Sequence, residues 1–186
     1  SFFLPGHDEV HQISIIPAGR AGGYTLYLPK EDRDYMSKGD MENELVSLLG
    51  GRVAEKLTLD DISTGASNDI QRATDIARSM VTKYGMSEKI GPIAYSSDEE
   101  VFIGRDYEKT KSYSEQVAGL LDGEVREIID RAYGQYEKIM QEDREKLFQV
   151  VEFLLAHETM SGAQFKACME GRDMDAAGPG SLFDPI

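Results

Sequence analysis

The sequence has a single cysteine, Cys168, so no disulfide can form within the chain. A lone thiol is what a reducing compartment permits. Cys168 sits in a terminal helical pattern with no histidine nearby, so a buried, unreactive thiol is expected rather than a nucleophile. Long apolar runs are also lacking: none reaches the roughly 18–20 residues of a membrane-crossing helix. Phe2-Phe3-Leu4 is too short for a secretory signal and is ended by Pro5-Gly6. Any membrane attachment is therefore expected from segments outside these 186 residues. Basic residues are scarce, with 20 Lys and Arg against 34 Asp and Glu and a net charge of −14. That balance argues against nucleic acid as a partner, because phosphate binding needs clustered cations to displace counterions. It disfavours anionic lipid for the same reason.

What is present reads as mainly α with a small β unit near the N-terminus. Residues 11–16 put Ile13 and Ile15 on one face at period two, and Pro17 stops the run. Gly19 to Gly23 supply turn chemistry, and a second alternating run, Tyr24 to Leu28, ends at Pro29. Two strands alone are marginal, so they must pack on helices or on a sheet partner expected to lie outside the chain.

After Pro29 the period becomes helical. Met41, Leu45, Leu48, Leu49, Val53, Ala54 and Leu57 form one stripe, with Asp40 as a cap and Gly50-Gly51 marking close packing. A second helix opens at Ser67-Asn68-Asp69 and carries Ile70, Ala73, Ile76, Ala77, Met80, Val81 and Tyr84 on one side. Gly85 is suited to a left-handed C-terminal cap. Residues 86–111 show little periodicity and are expected to form a long surface loop. From Ser112 a strong stripe runs from Val117 to Met140, and a break near Glu142-Asp143 leads to Leu147, Val150, Val151, Leu154 and Leu155. Ser161-Gly162 opens a short last helix. The expected organisation is a core over 1–111, a helical part of the same domain over 112–171, and a Gly/Pro/Asp-rich disordered tail over 172–186.

Three segments could carry chemistry. His7-Asp8-Glu9-Val10-His11 superficially matches the His-Glu-x-x-His zinc signature. It fails on two counts: Pro5-Gly6 and an incipient strand replace the required helix, and Glu9 does not directly follow His7. The stretch Ser63 to Ile70 reads locally as a helix start, with Ser67 or Asn68 capping and Gln71 completing a capping box. A carboxylate held there, Asp69, would also make a good third ligand for a divalent metal. The glycine-rich strand start at Gly22-Gly23-Tyr24-Thr25 is either an ordinary hairpin loop or an edge that binds extended peptide by strand addition.

Taken together these segments resemble one family. His11 to Thr25, Leu48-Leu-Gly-Gly-Arg-Val-Ala-Glu55, Ser63-Thr-Gly-Ala-Ser-Asn-Asp-Ile-Gln-Arg-Ala-Thr74, Met80 to Glu88 and Glu158 to Gly162 are similar, in order, to stretches of FtsH-type ATP-dependent zinc metalloproteases. The resemblance covers residues 4–171 and implies the helical peptidase fold of that family. It makes Asp69 the metal ligand and Gly22, Gly23, Tyr24 and Thr25 part of the strand that aligns substrate. It implies zinc as cofactor, ATP and Mg in a separate ATPase module, protein substrates, a homo-hexamer, and a cytoplasmic position on a membrane-anchored protein. The family's His-Glu-x-x-His helix, with its general base, would lie upstream of Ser1, so the 186 residues alone are expected to hold no catalytic residue and to be inactive. The alternative is a non-catalytic helical module for assembly or regulation.

Overall fold

The computed structural model describes residues 2–19, 22–28, 35–59, 61–95 and 113–178. Among them the order of elements is β1 (Glu9–Ser14), β2 (Tyr24–Leu28), α1 (Lys38–Leu59), α2 (Ser67–Thr82), α3 (Glu115–Glu142), α4 (Arg144–His157), β3 (Thr159–Ser161) and α5 (Gly162–Met169), with a 3-10 turn at Asp175–Ala177. The mainly helical fold with a small antiparallel sheet is as expected. The chain divides into two compact units, Ser1–Tyr35 with Glu137–Ile186, and Met36–Tyr136. This division runs through α3.

The first unit is a three-stranded antiparallel sheet in the order β2-β1-β3 packed on α5. β2 occupies 24–28 as expected, but β1 covers Glu9–Ser14 rather than 11–16. Ile13 therefore turns inward while Ile15 and Ile16 lie beyond the strand and are exposed. The sheet partner expected from outside the chain is inside it. β3 pairs Gln12 with Ser161, Ile13 with Met160 and Ser14 with Thr159. The Ile15 N–H then donates to the Glu158 carbonyl at 3.0 Å. Met160, Val150, Phe153, Leu154, Cys168 and Met169 form the core here, with Ile13, Phe165 and Met174 against them. On α4, Phe153 is buried while Val151 and Leu155 of the expected stripe are exposed. Cys168 is buried, and that burial raises its thiol above the ordinary value despite the opposing charge of Lys146. Such a thiol is a poor nucleophile.

α5 begins with a full capping box. Ser161 accepts from the Gln164 N–H, and Gln164 accepts from the Ser161 N–H. The segment after α5, expected to be disordered from Arg172, contains the 3-10 turn at Asp175–Ala177. Met174 packs on the core, and the Ser161 hydroxyl donates to the Gly178 carbonyl at 3.4 Å. Residues 179–186 lie outside the described residues.

In the second unit α1 packs on α2. Their buried residues are Met41, Leu45, Val46, Leu49 and Val53 on one helix and Ala73, Ala77, Met80 and Val81 on the other. Alanines four apart bring two backbones close, and an Arg72–Glu44 ion pair at 2.9 Å ties their outer surface. Asp40 is not the N-cap of α1. It accepts from the Ser37 N–H and hydroxyl while the Ser37 hydroxyl accepts from the Asp40 N–H, so Ser37 caps and Asp40 closes the box. The glycine pair stays helical, and a methyl on Gly50 would lie 2.8 Å from the Tyr136 ring. Gly85 adopts φ 61° and closes the turn after α2, as expected, but Tyr84 is half exposed and lies outside the buried face.

The stretch 86–95 is pinned to α3. Ser87 donates to Glu124 at 2.5 Å, and Lys89 pairs with Glu124 at 2.9 Å and with Glu127. The rest of the expected loop, 96–111, lies outside the described residues.

Candidate functional site

Asp69 stands in the first turn of α2, three residues past the N-cap. The N-cap is Ala66, which carries no capping oxygen, so neither Ser67 nor Asn68 caps as the sequence suggested. Gln71 donates to Asp75 at 3.1 Å instead of closing a box. The first turn is set by the backbone: the Ser67 N–H donates to the Thr64 carbonyl at 3.1 Å and the Ile70 N–H to Ala66 at 3.0 Å. Asp69 is half-buried, and among the described residues no hydrogen bond or ion pair engages its carboxylate. It lies at the positive end of the 16-residue helix. A carboxylate with no partner among the described residues is chemically suited to bind a cation.

The loop before α2 is tied to α1 by Glu55. Its carboxylate accepts from the Ser63 N–H at 3.2 Å and from the Ser63 hydroxyl, and Arg52 lies 3.5 Å away. The Ser63 side-chain bond, more than any other cause, holds the Glu55 carboxyl below the ordinary carboxylate range. The Ser63 hydroxyl oxygen in turn accepts from the Gly65 N–H at 3.1 Å. Sequence reasoning missed this role of Glu55; nothing in helical spacing pairs a residue in α1 with one in the loop eight positions on.

Gly22 to Thr25 lie in the first unit, at the start of β2. β2 is an edge strand, paired among the described residues with β1 alone. Ser14 faces Tyr24 and Gln12 faces Leu26, so Tyr24, Leu26 and Leu28 share the face opposite Ile13. All three are exposed, and the strand carries no charge. Edge strands are commonly blunted with charge or proline, and neither occurs within Tyr24–Leu28. The two glycines differ. A methyl on Gly23 would lie 2.5 Å from the Ser14 carbonyl oxygen, whereas one on Gly22 would meet nothing within 4 Å.

His7 and His11 do not form a helical pair. His7 is in a turn with its Nδ1 3.1 Å from the Asp8 carbonyl oxygen and its ring against Tyr27, and His11 is in β1. Among the described residues no group of three or more His, Cys, Asp or Glu side chains could hold a metal. Asp69 thus fits as one donor of a set that these residues do not complete. Asp69 belongs to the second unit and Gly22–Thr25 to the first.

The chain belongs to peptidase family M41, whose family model matches residues 1–168. Within that family it is similar to FtsH proteases. It is 52% identical over 173 residues to the ATP-dependent zinc metalloprotease FtsH 1 of Thermoanaerobacter sp. (strain X514), covering 92% of this chain and 28% of the relative. It is 54% identical over 164 residues to the FtsH of Caldicellulosiruptor bescii, covering 88% and 27%. The FtsH of Bacillus subtilis (strain 168) is 45% identical over 161 residues, covering 86% and 25%. The resemblance drawn from the motifs is borne out. The chain spans about a quarter of the length of these relatives.

Proposed function

We propose that this chain is the peptidase part of an ATP-driven zinc protease that degrades proteins, with Asp69 as a zinc ligand and the β2 edge as the rail that aligns substrate. The observation that carries the reading is Asp69, a half-buried carboxylate in the first turn of α2 with no partner among the described residues, within a chain that belongs to a peptidase family. Bound zinc polarises a scissile carbonyl and lowers the pKa of a coordinated water. The chain's own contribution is to hold one anionic donor rigidly. It also offers main-chain N–H and C=O groups along Tyr24–Leu28, which would pair with an extended peptide whatever its side chains.

The remaining zinc donors and the general base belong to a His-Glu-x-x-His helix that is not in these 186 residues. As a 186-residue polypeptide the chain accordingly does not cleave peptides. ATP and Mg bind a separate module of the longer protein, which works as a homo-hexamer anchored to a membrane through other segments. No helix among the described residues is long and apolar enough to cross a membrane.

The test is Asp69→Ala in the longer protein. Casein proteolysis is expected to be abolished while ATP hydrolysis continues. Retained proteolysis would refute the ligand assignment and favour a non-catalytic assembly module.

A further inference from the structure

We propose that Glu55 is the positioning residue for Asp69, acting through a clamp on Ser63 that fixes where the first turn of α2 begins. The proposal rests on the reading of Asp69 as a metal ligand. α2 starts without a side-chain cap, because Ala66 occupies the N-cap and offers no oxygen. A helix end left this way frays unless something else holds the entering chain. Here the holding group comes from the neighbouring helix. One Glu55 oxygen accepts the Ser63 N–H at 3.2 Å and the other accepts the Ser63 hydroxyl proton. The same hydroxyl oxygen takes the Gly65 N–H at 3.1 Å, and the Thr64 carbonyl takes the Ser67 N–H at 3.1 Å. Hydrogen bonds thus run without a gap from α1 to the first residue of α2, two positions before Asp69.

The clamp asks for this residue pair. Glutamine at 55 keeps the shape but puts an NH2 donor where one of the two acceptor oxygens stands, so it cannot reproduce both bonds of this bidentate arrangement. Alanine at 63 removes the hydroxyl that both donates to Glu55 and accepts from Gly65. Threonine at 63 keeps it. Gly65 leaves little space, since a methyl there would lie 3.2 Å from the Ser63 hydroxyl oxygen and 3.7 Å from Glu55. Arg52 and Asp61 are the charged neighbours of Glu55, one attractive and one repulsive, and Arg52 is the closer tie. Metal donors must be held to within about 0.5 Å to be effective, so a loop loosened at Ser63 costs affinity without removing a ligand.

Two measurements test this. The first is amide exchange on the 186-residue chain. Glu55→Gln and Ser63→Ala should each speed exchange over 63–70 by about tenfold or more while the buried α1 amides of Leu45 to Val53 keep their protection; Ser63→Thr should behave as the parent. The second is zinc affinity in the longer protein. Groups that orient metal ligands typically contribute about 10–100-fold, so Glu55→Gln should weaken zinc by about tenfold. Asp69→Ala should weaken it further, and the double variant should match Asp69→Ala alone. Unchanged exchange in Glu55→Gln would overturn the clamp. Additive losses in the double variant would show that Glu55 acts on the metal by another route and would overturn the positioning role. If Asp69→Ala leaves zinc affinity intact, the ligand reading fails and the positioning role with it, while the exchange result still decides the clamp.

Discussion

Alanine at Gly23 probes how closely the edge strand must approach its neighbour. An ideal methyl there would lie 2.5 Å from the Ser14 carbonyl oxygen and 3.1 Å from the Ile15 Cα. Both are main-chain atoms, so no rotamer relieves the clash, and contacts below 3.0 Å are essentially never made. The end of β1 or the start of β2 has to move by about 0.5 Å, the difference between these distances. Overpacking of this kind costs about 1–3 kcal/mol, and the reduced freedom of alanine in the unfolded chain returns about 0.4–1 kcal/mol. The midpoints give a net loss of about 1.3 kcal/mol, which for a chain of this size lowers Tm by roughly 3–5 °C. Gly22→Ala is the matched control. Its methyl meets nothing within 4 Å and its φ is not left-handed, so the unfolded-state gain should survive and raise Tm by roughly 1–4 °C. Thermal melts of both variants, with amide exchange over Glu9–Ser14 and Tyr24–Leu28 to show which unit responds, give the answer. Equal melting temperatures, or a Gly23→Ala protein whose β1 and β2 amides exchange as in the parent, would refute the steric reasoning. In the longer protein, if β2 aligns substrate as proposed, Gly23→Ala should raise KM for an extended peptide more than it lowers kcat.

Two further predictions concern the scaffold. Ser87, more than Lys89, holds the Glu124 carboxyl below its ordinary value of 4.5, against the opposing effect of burial. A depressed carboxylate stabilises the fold fully above the unfolded value and loses that contribution as pH falls through the folded one. Glu124→Gln should thus lower Tm at pH 7 by roughly 2–4 °C, for about 1 kcal/mol, and its gap to the parent should close as pH drops below about 4.5. A gap that is constant down to pH 3 would contradict the assignment. Lys89 is shifted upward, chiefly by Glu127 and then Glu124, so its contribution persists until pH rises past about 10.5 and leaves the acid limb to Glu124. At Gly162 a methyl would lie 2.2 Å from the Val10 carbonyl oxygen, whereas at Gly134 it would meet nothing within 4 Å. Gly162→Ala should therefore cost about 1–3 kcal/mol or more, and Gly134→Ala, inside α3, should gain about 1 kcal/mol, both read from denaturant midpoints.

Helices were legible here because their buried faces repeat at a period that only a helix satisfies. Leu45, Leu49 and Val53 on α1, and Ala73, Ala77 and Met80 on α2, fall on the buried sides that their spacing implies. β3 was not legible, for two physical reasons. Three residues, Thr159–Ser161, are too few to show a period. The turn that presents them is made by Glu158 at φ 62°, a left-handed position that is normally announced by glycine. Without β3 the sheet partner of β1 had to be sought elsewhere, and the inward turn of Ile13 could not be separated from that of Ile15. The 3-10 turn after α5 was hidden in the same way, because its anchor, Met174, acts by long-range packing in a segment whose local composition reads as disordered.

The candidate site divides along the same line. Asp69 was found because a long run of residues around it resembles a family; helical pattern alone assigned it to the start of a helix, where it does lie. That its carboxylate has no hydrogen-bond or ion-pair partner among the described residues is a matter of three dimensions that no spacing encodes. Gly22 and Gly23 are indistinguishable in sequence, and what separates them is one carbonyl oxygen on the paired strand. Glu55 is the sharpest case. On α1 it falls between the buried face and solvent, where glutamate is unremarkable, and its partner sits across a turn whose path cannot be inferred from residue types. Residues that touch only the chain ahead of a helix start leave no periodic trace. They emerge only when each orphaned N–H at a helix start is followed to the group that satisfies it, and for α2 the uncapped start leads through Gly65 and Ser63 back to Glu55.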